Sequence, residues 1–248
     1  MAGGSADKPA RRASDRGRYG RLSRERVLAA ALELVDREGL SALSMRRLGA
    51  ELGVEAMALY RYAEGKDSLL DGLVEALYLE LEQRLTSAPG TTAQPPADSG
   101  ATGWRAELQR IARALYDVCL AHPQVVPLLS TRMMAVPLAR RPLAVLRDHE
   151  RILVLLREAG FDDARAASVF GAYTAWVLGY VSVELKAMVD NPEESDPAFR
   201  LGLHRMPSQE LPVLRETAPA LAEPGGPEGL SAGLGALLDL WAPADRTA

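Results

Sequence analysis

The chain has 248 residues, 48% of them hydrophobic and 25% charged, a composition that reads as globular and soluble with ample material for a buried core. Its single cysteine, Cys119, excludes an internal disulfide and a cysteine-based metal site, and fits a reducing cytoplasm. The formal charge of −4 hides an asymmetry: residues 1–70 hold 13 Lys/Arg against 10 Asp/Glu, whereas residues 71–248 hold 16 against 23, so a polyanion is expected to meet one end only.

Residues 1–20 are small, polar and basic without periodicity and read as a disordered arm. No apolar run follows their arginines, so no secretory signal is expected. From Ser23, a plausible N-cap, Val27, Leu28, Ala31, Leu34 and Val35 form one helical stripe that Gly39 stops. A second helix opens after Ser44, carries Met45, Leu48 and Leu52 on one face, and ends at Gly53. "VEAMALYRY" is a third, short helix beyond a glycine-containing turn. The fourth starts near Lys66 and runs to about Leu85 on the stripe Leu69, Leu70, Leu73, Val74, Leu77 and Leu81. Thr86–Gly103 is rich in Pro, Gly, Thr and Ser and reads as a linker between two domains.

Beyond the linker a helix carries Leu108, Ile111, Leu115, Val118 and Cys119 and is closed by Pro123. "QVVPLLSTRMMA" reads as short and broken by its proline, and Leu138–Ala159 as one long amphipathic helix ending at Gly160. The stretch from Asp162 to Met188 is apolar on nearly all sides, as expected of a helix buried between others. Its apolar run, Phe170 to Val183, is interrupted and too short to span a bilayer, so no membrane partner is expected. An exposed loop then leads to two shorter helices, near Gln209–Thr217 and Glu228–Leu240. No segment alternates with period two for long enough to make a strand, so the fold class is all-α.

Two helices joined by a short glycine turn make a helix-turn-helix, whose second helix can enter the major groove of DNA. Leu48, Leu52, Val54 and Leu59 can pin the pair from behind. Ala56, Met57 and Ala58 are small or apolar and suit close approach to base edges and thymine methyl groups. Tyr60 and Tyr62 can donate to phosphate oxygens, and Lys66 sits at a helix start. Ser44 and Arg46 complete the DNA-facing set, with Arg18 and Arg21 on the preceding arm. The same pattern also fits an all-α protein whose tyrosines are half-buried wedges.

Catalytic constellations are missing from the sequence. His122, His149 and His204 stand far apart without metal-binding spacing, so no metal site is expected. Gly65-Lys66 lacks the earlier glycine of a phosphate loop and is followed by Asp67. There is no GxSxG nucleophile turn, and Asp162-Asp163 reads as helix N-terminal charge. Neither an enzyme nor a cofactor is expected.

The run "RERVLAAALELVDREGLSALSMRRLGAELGVEAMALYRYAEGKDSLLD", within Ser23–Leu85, resembles the N-terminal DNA-binding domain of the TetR family of bacterial repressors. The carriers are "EGL", "LSMRRLGAELGV", "ALYRY" and "GKDSLLD", in order and at the family's spacing; Ala63 is a mild departure. The remainder is similar to the ligand-binding part of the tetracycline repressor branch, through "LLSTR" at Leu128–Arg132 and "WVLGYVSVEL" at Trp176–Leu185. The resemblance implies a disordered arm (1–20), a helix-turn-helix domain (21–85), a linker (86–103) and a ligand-binding and dimerisation domain (104–248). It further implies a cytoplasmic homodimer that binds a palindromic operator in double-stranded DNA and is released by a small-molecule inducer. Dimerisation would use Ala164–Met188 and the last helix, where Gly229, Ala232, Gly233 and Ala236 permit close approach and Leu230, Leu234, Leu237 and Leu238 fill the interface.

Where the tetracycline repressor has a histidine that helps to hold magnesium, this chain has Leu128 or Leu129, and a second polar place is taken by Ala175 and Trp176. A hydrophobic, metal-free inducer is therefore expected. The implied walls are Ile111, Leu115, Leu128, Met133, Tyr173, Trp176 and Tyr180, with Arg132 and Glu184 as polar anchors. Two alternatives stay open. Arg132 also reads as a structural partner of an acidic side chain, and the aromatics also read as core. In function, the alternative is a helical ligand-binding or interaction protein without sequence-specific DNA binding.

Overall fold

The computed structural model describes residues 22–87, 103–190, 210–222 and 225–241, with a few positions between 202 and 207. The basic arm with Arg18 and Arg21, most of the linker, His204 and the side chain of Met133 lie outside the described residues. Among those described there are ten α-helices and no strand.

Helix α1 spans Arg24–Glu38; the Ser23 hydroxyl accepts from the Arg26 amide at 3.2 Å, and Gly39 ends the helix at φ 82°. A single 3-10 turn, Leu40–Ala42, leads to α2, Met45–Leu52. Ser44 caps α2 by accepting from the Arg47 amide at 3.2 Å, and Gly53 closes it in the left-handed region, φ 66°. Helix α3 covers only Ala56–Leu59. It is shorter than the sequence pattern suggests because the Tyr62 and Ala63 amides both donate back to the Leu59 carbonyl, at 2.8 and 3.0 Å, and close a turn. Helix α4 runs Lys66–Ser87, two residues past its expected end.

Helix α5 is Gly103–Ala121 and α6 is Val126–Ala135, with the 3-10 turn Pro123–Val125 between them. Pro127 does not break α6. It lies in the first turn, where its missing N–H has no intrahelical partner to lose. The single long helix expected over 138–159 is instead divided by Pro142 into a 3-10 turn, Leu138–Arg140, and α7, Leu143–Glu158. The proline ring disfavours helical geometry in the residue before it, so Arg141 is extended. Helix α8, Asp163–Asp190, is continuous. Contrary to expectation, its stretch Asp163–Leu185 is long and apolar enough to cross a membrane by length and composition; here it packs against α5, α6, α7 and the last helix. Helices α9, Pro212–Ala222, and α10, Gly226–Trp241, complete the described chain.

One continuous apolar core joins the two parts. It passes from Leu34 of α1 and Leu48 of α2 through Leu69, Leu73, Leu77 and Leu81 of α4 to Leu108, Ile152, Val181 and Leu234. Helix α4 thus packs on α1 at one side and on α5 and α7 at the other. Between α2 and α3 the approach depends on Gly49, where a Cβ would lie 2.8 Å from the Val54 carbonyl oxygen and 3.2 Å from the Ala56 nitrogen. Both are backbone atoms of the turn and cannot step aside alone. Gly49→Ala is therefore expected to lose about 1–3 kcal/mol, the usual range for overpacking. Urea unfolding checks it, and an unchanged midpoint would refute the close fit.

Candidate DNA-binding surface and ligand core

The two helices of the helix-turn-helix are held by the Val54 amide on the Gly49 carbonyl, 2.9 Å, and by burial of Leu48, Leu52 and Leu59. Outside, Arg47 pairs with Glu38 at 2.7 Å and Arg37 bridges Glu38 and Glu51, bracing α1 against α2. On the open face Met57 is 73% exposed and Tyr60 45%, with Arg46 and Lys66 also exposed and Ala56 and Ala58 half-buried beside them. An exposed methionine on a four-residue helix has no folding role to explain it. Arg61, exposed next to Tyr60, is a further cation that the motif reading passed over. Two predicted residues are differently employed. The Ser44 hydroxyl caps α2, and the Tyr62 hydroxyl donates to the Leu22 carbonyl at 2.8 Å, turned towards the protein.

In the second domain Ile111, Leu115 and Leu128 are buried, and the buried Tyr173 hydroxyl donates to the Leu108 carbonyl at 3.2 Å. Trp176 and Tyr180 lie against α10, where a Cβ on Gly233 or Gly229 would collide with their side chains. Tyr180 donates to the Gly226 carbonyl at 2.7 Å and Glu184 accepts from the Gly226 amide at 2.8 Å, so the two clamp the start of α10. Gly229 and Gly233 therefore serve packing inside the protomer. The interface expected of Leu230, Leu234 and Leu238 is corrected likewise, because all three are fully buried within the chain. What faces outward is Ala232 and Ala236 of α10 and, on α8, Gly171, Ala175, Gly179 and Val183, the last 78% exposed.

Arg132 is a structural partner in this conformation. Its guanidinium donates to Asp71 at 2.7 Å, and to the Asp67 carboxylate and carbonyl at 3.3 and 3.0 Å, tying α6 to the start of α4. His122 makes a second tie, with Nδ1 2.7 Å from Asp36 of α1 and Nε2 2.9 Å from Glu80 of α4.

Sequence reasoning missed Asp148 and His149. On α7 the buried stripe Val145, Asp148, His149, Ile152 and Leu156 carries this polar pair at helical spacing, a signal legible once the helix is placed. Asp148 is 7% exposed and His149 6%. Asp148 Oδ1 and both ring nitrogens of His149 have no hydrogen-bond partner, and the Arg151 guanidinium stops 3.9 Å from Asp148. Burial pushes the Asp148 carboxyl up to about 6 against the opposing charge of Arg151. Burial, with the charge of Arg141, pushes His149 down to about 4. Burial chiefly, and the Asp148 charge next, raise the Tyr78 and Tyr173 hydroxyls. The His149 ring meets Phe170 edge-on, centroids 5.0 Å apart. A small crevice is lined by Asp71, Val74, Arg132, Val136, Arg141, Pro142 and Val145.

A helix-turn-helix fused through a shared helix to an all-α second domain defines a class of DNA-binding regulators, and comparison with known proteins agrees. Residues 27–73 match the model of "Bacterial regulatory proteins, tetR family", and residues 95–237 that of "Tetracyclin repressor-like, C-terminal domain". The chain belongs to the TetR family. It is 35% identical over 174 residues to the HTH-type transcriptional repressor DrrR1 of Streptomyces coeruleorubidus, covering 70% of this chain and 58% of that relative's length. Among solved structures, a possible TetR family transcriptional regulator from Streptomyces coelicolor A3(2) superposes with a TM-score of 0.67 at 28% identity, covering 88% of this chain and 97% of its own. ActR from Streptomyces coelicolor, solved in complex with actinorhodin, gives 0.67 at 25% identity, covering 90% and 97%.

The buried pair has a pH signature. Asp148, at about 6 when folded against 3.8, holds a proton that the unfolded chain has released, so its contribution to stability falls as pH rises through that window. His149, at about 4 against 6.5, stays neutral where the unfolded imidazole is protonated, so its contribution rises with pH and is lost on acidification. The slopes oppose each other. Relative to wild type, Asp148→Asn is expected to gain about 3 kcal/mol between pH 4 and 6, and His149→Gln to lose about 3 kcal/mol as pH rises from 4 to 6.5. Urea denaturation across this range checks both, and three parallel profiles would refute the pair's titration.

Proposed function

We propose that the protein is a ligand-responsive transcriptional repressor: a cytoplasmic homodimer that binds a palindromic operator through two helix-turn-helix units and leaves it when a small, largely apolar molecule occupies the second domain. The carrying observation is that α4 packs on α1 and also on α5 and α7 within one continuous core, so a change around α7 is transmitted to the seat of α1. Arg132 on Asp67 and Asp71, and His122 on Asp36 and Glu80, add polar ties along the same helix. The inducer acts by population shift: it binds the non-operator conformation more tightly. The actinorhodin complex of ActR supports an organic inducer. Residues 21–85 form the DNA-reading domain, 86–103 the linker and 104–248 the ligand and dimer domain in this reading, with residues 1–20 ahead as a basic arm.

Bases are read by Ala56, Met57 and Ala58, while Arg46, Tyr60 and Lys66 meet phosphates. Ser44 contributes from the capped start of α2, and Arg18, Arg21 and Tyr62 are secondary. No metal is needed, since the place of the family's metal-holding histidine falls on the buried Leu128 and Leu129. The dimer forms on the outward stripe of small residues of α8 and α10, whose exposed Val183 would otherwise face water.

An operator selected from a random duplex pool tests the first half. Replacing Lys66 by Ala is expected to weaken binding to all sequences alike and to reduce the slope of log K against log salt by about 1. An unchanged slope would refute the phosphate contact. For the dimer, Val183→Glu is expected to convert a dimer to a monomer in sedimentation at micromolar concentration. A wild-type monomer, or a dimer that tolerates the charge, would place the interface elsewhere. Release of the operator only in the presence of magnesium would overturn the metal-free reading.

A further inference from the structure

His122 lies where α5 ends and the turn Pro123–Val125 begins, at a joint between the two parts of the molecule. The turn packs on α1 and on α8, and a Cβ on Gly39 at the end of α1 would stand 3.6 Å from Gln124 Oε1. The backbone of His122 is fixed by its own helix, its amide donating to the Val118 and Cys119 carbonyls at 3.1 and 3.2 Å. From there the ring reaches acids on two other helices. Nδ1 is 2.7 Å from Asp36 Oδ2 of α1, and Nε2 is 2.9 Å from Glu80 Oε2 of α4. The second Glu80 oxygen accepts from the Arg84 guanidinium at 3.0 and 2.7 Å. Against burial, which favours the neutral acid, the hydrogen bonds from Arg84 and His122 hold the Glu80 carboxyl below the usual carboxylate range.

We propose that His122 is a proton-operated clamp between the second domain and the DNA-reading head, closed while the imidazole is protonated and opened when it loses the proton. An ionised carboxylate only accepts hydrogen bonds, and a neutral imidazole has one N–H. The neutral ring can therefore serve Asp36 or Glu80 but not both, and its bare nitrogen would face a carboxylate oxygen lone pair to lone pair. Only the imidazolium donates at both ends, and such charge-assisted bonds are the strong ones. The His122 side chain is 16% exposed, enough for water to deliver and remove the proton. Among the described residues, the charges that face the ring are Asp36 and Glu80, with Arg84 on the far side of Glu80. On α1, Arg37 is turned to Glu38 and Glu51; on α5, Asp117 is paired with Arg113; the turn adds only the neutral Gln124. With the proton, the group of His122, Arg84, Asp36 and Glu80 is neutral; without it, the group bears a negative charge that a polyanion repels. Proton loss thus loosens the head and weakens its hold on DNA together. The inference rests on the DNA-binding reading and gives it a second input: operator occupancy falls as pH rises.

Two measurements on the full chain test it. The first is urea unfolding of wild type, His122→Gln and Asp36→Asn between about pH 6 and 8.5, a span across which histidines lose their proton. Folding closes the protonated clamp, so its contribution is present at the acid end and lost as pH rises. The midpoint advantage of wild type over His122→Gln is expected to shrink to near zero by the alkaline end. Asp36→Asn puts an N–H donor opposite the ring, which a neutral imidazole accepts while donating to Glu80, so its profile is expected to be flatter than that of wild type. An advantage that does not change with pH, or an Asp36→Asn profile as steep as wild type, would overturn the clamp. If His122→Gln melts early, the Asp36→Asn profile decides. The second measurement titrates the duplex selected from the random pool at both pH limits and constant salt. Wild type is expected to bind at least about threefold more tightly at the acid end, the scale of one partly solvated ion pair, and His122→Gln to lose that ratio. Equal wild-type affinities, tighter binding at the alkaline end, or a ratio that survives in His122→Gln would each overturn the proposal. No duplex binding at any pH, with the urea profiles as expected, would sink the DNA-binding reading while the clamp itself stands.

Discussion

Helix α4 is the constraint on which the rest of the structure depends. It buries Leu69, Gly72, Leu73, Val74, Leu77, Tyr78, Leu81 and Leu85, and through them the apolar core runs unbroken from the first part of the chain into the second. Its early turns receive α1, and at Gly72 the absence of a Cβ makes room for Leu28. Further along, Leu77, Tyr78 and Leu81 belong to the packing with α5 and α7. Interiors are close-packed and do not deform continuously, so a displacement at one wall has to be taken up at the other. The proposed coupling of the second domain to the DNA-reading head would act through this packing.

The polar groups divide into two kinds by what surrounds them. At the rim of α4 the charges are paired and partly solvated: Arg24 with Glu75 at 2.6 Å, Arg132 with Asp71, and His122 between Asp36 and Glu80. Such pairs add little stability individually but fix the register of neighbouring helices. On α7 the opposite holds: Asp148 and His149 are buried, and Asp148 Oδ1 and both His149 nitrogens lack a hydrogen bond, with Arg151 3.9 Å from Asp148. Apolar residues of similar size would pack there at lower cost. Cys119 is also buried, and its thiol is pushed up to about 12 by burial, which makes it an inert core residue and not a reactive one.

The dimer proposed above would draw on the same two helices that already pack within the chain. In α10 the leucines at 230, 234 and 238 and the glycines at 229 and 233 look inward, the glycines seating Tyr180 and Trp176. The face left for a partner is poorer in large side chains and richer in alanine and glycine, so close backbone approach would supply its contacts.

The amino-acid sequence alone determined what short-range physics decides. Ser23 and Ser44 cap the helices they precede, Gly39 and Gly53 end them with positive φ, and apolar spacing placed the core stripes of α1, α2, α4 and α5. The helix-turn-helix was legible because its capping, turn and packing signals lie within a few residues of one another. Proline effects were legible only in kind: Pro127 and Pro142 mark the same chemistry, and position within the first turn or before it decides whether the helix continues. Which side of an apolar helix meets which neighbour is not a local property. Only the tertiary structure could turn Tyr62 inward to Leu22, seat Trp176 on Gly233, tie Arg132 to α4, and bury Asp148 and His149 with His149 edge-on to Phe170. The physical reason is that burial, not residue identity, sets the cost of an unpaired carboxylate, and burial is fixed by residues distant in the chain.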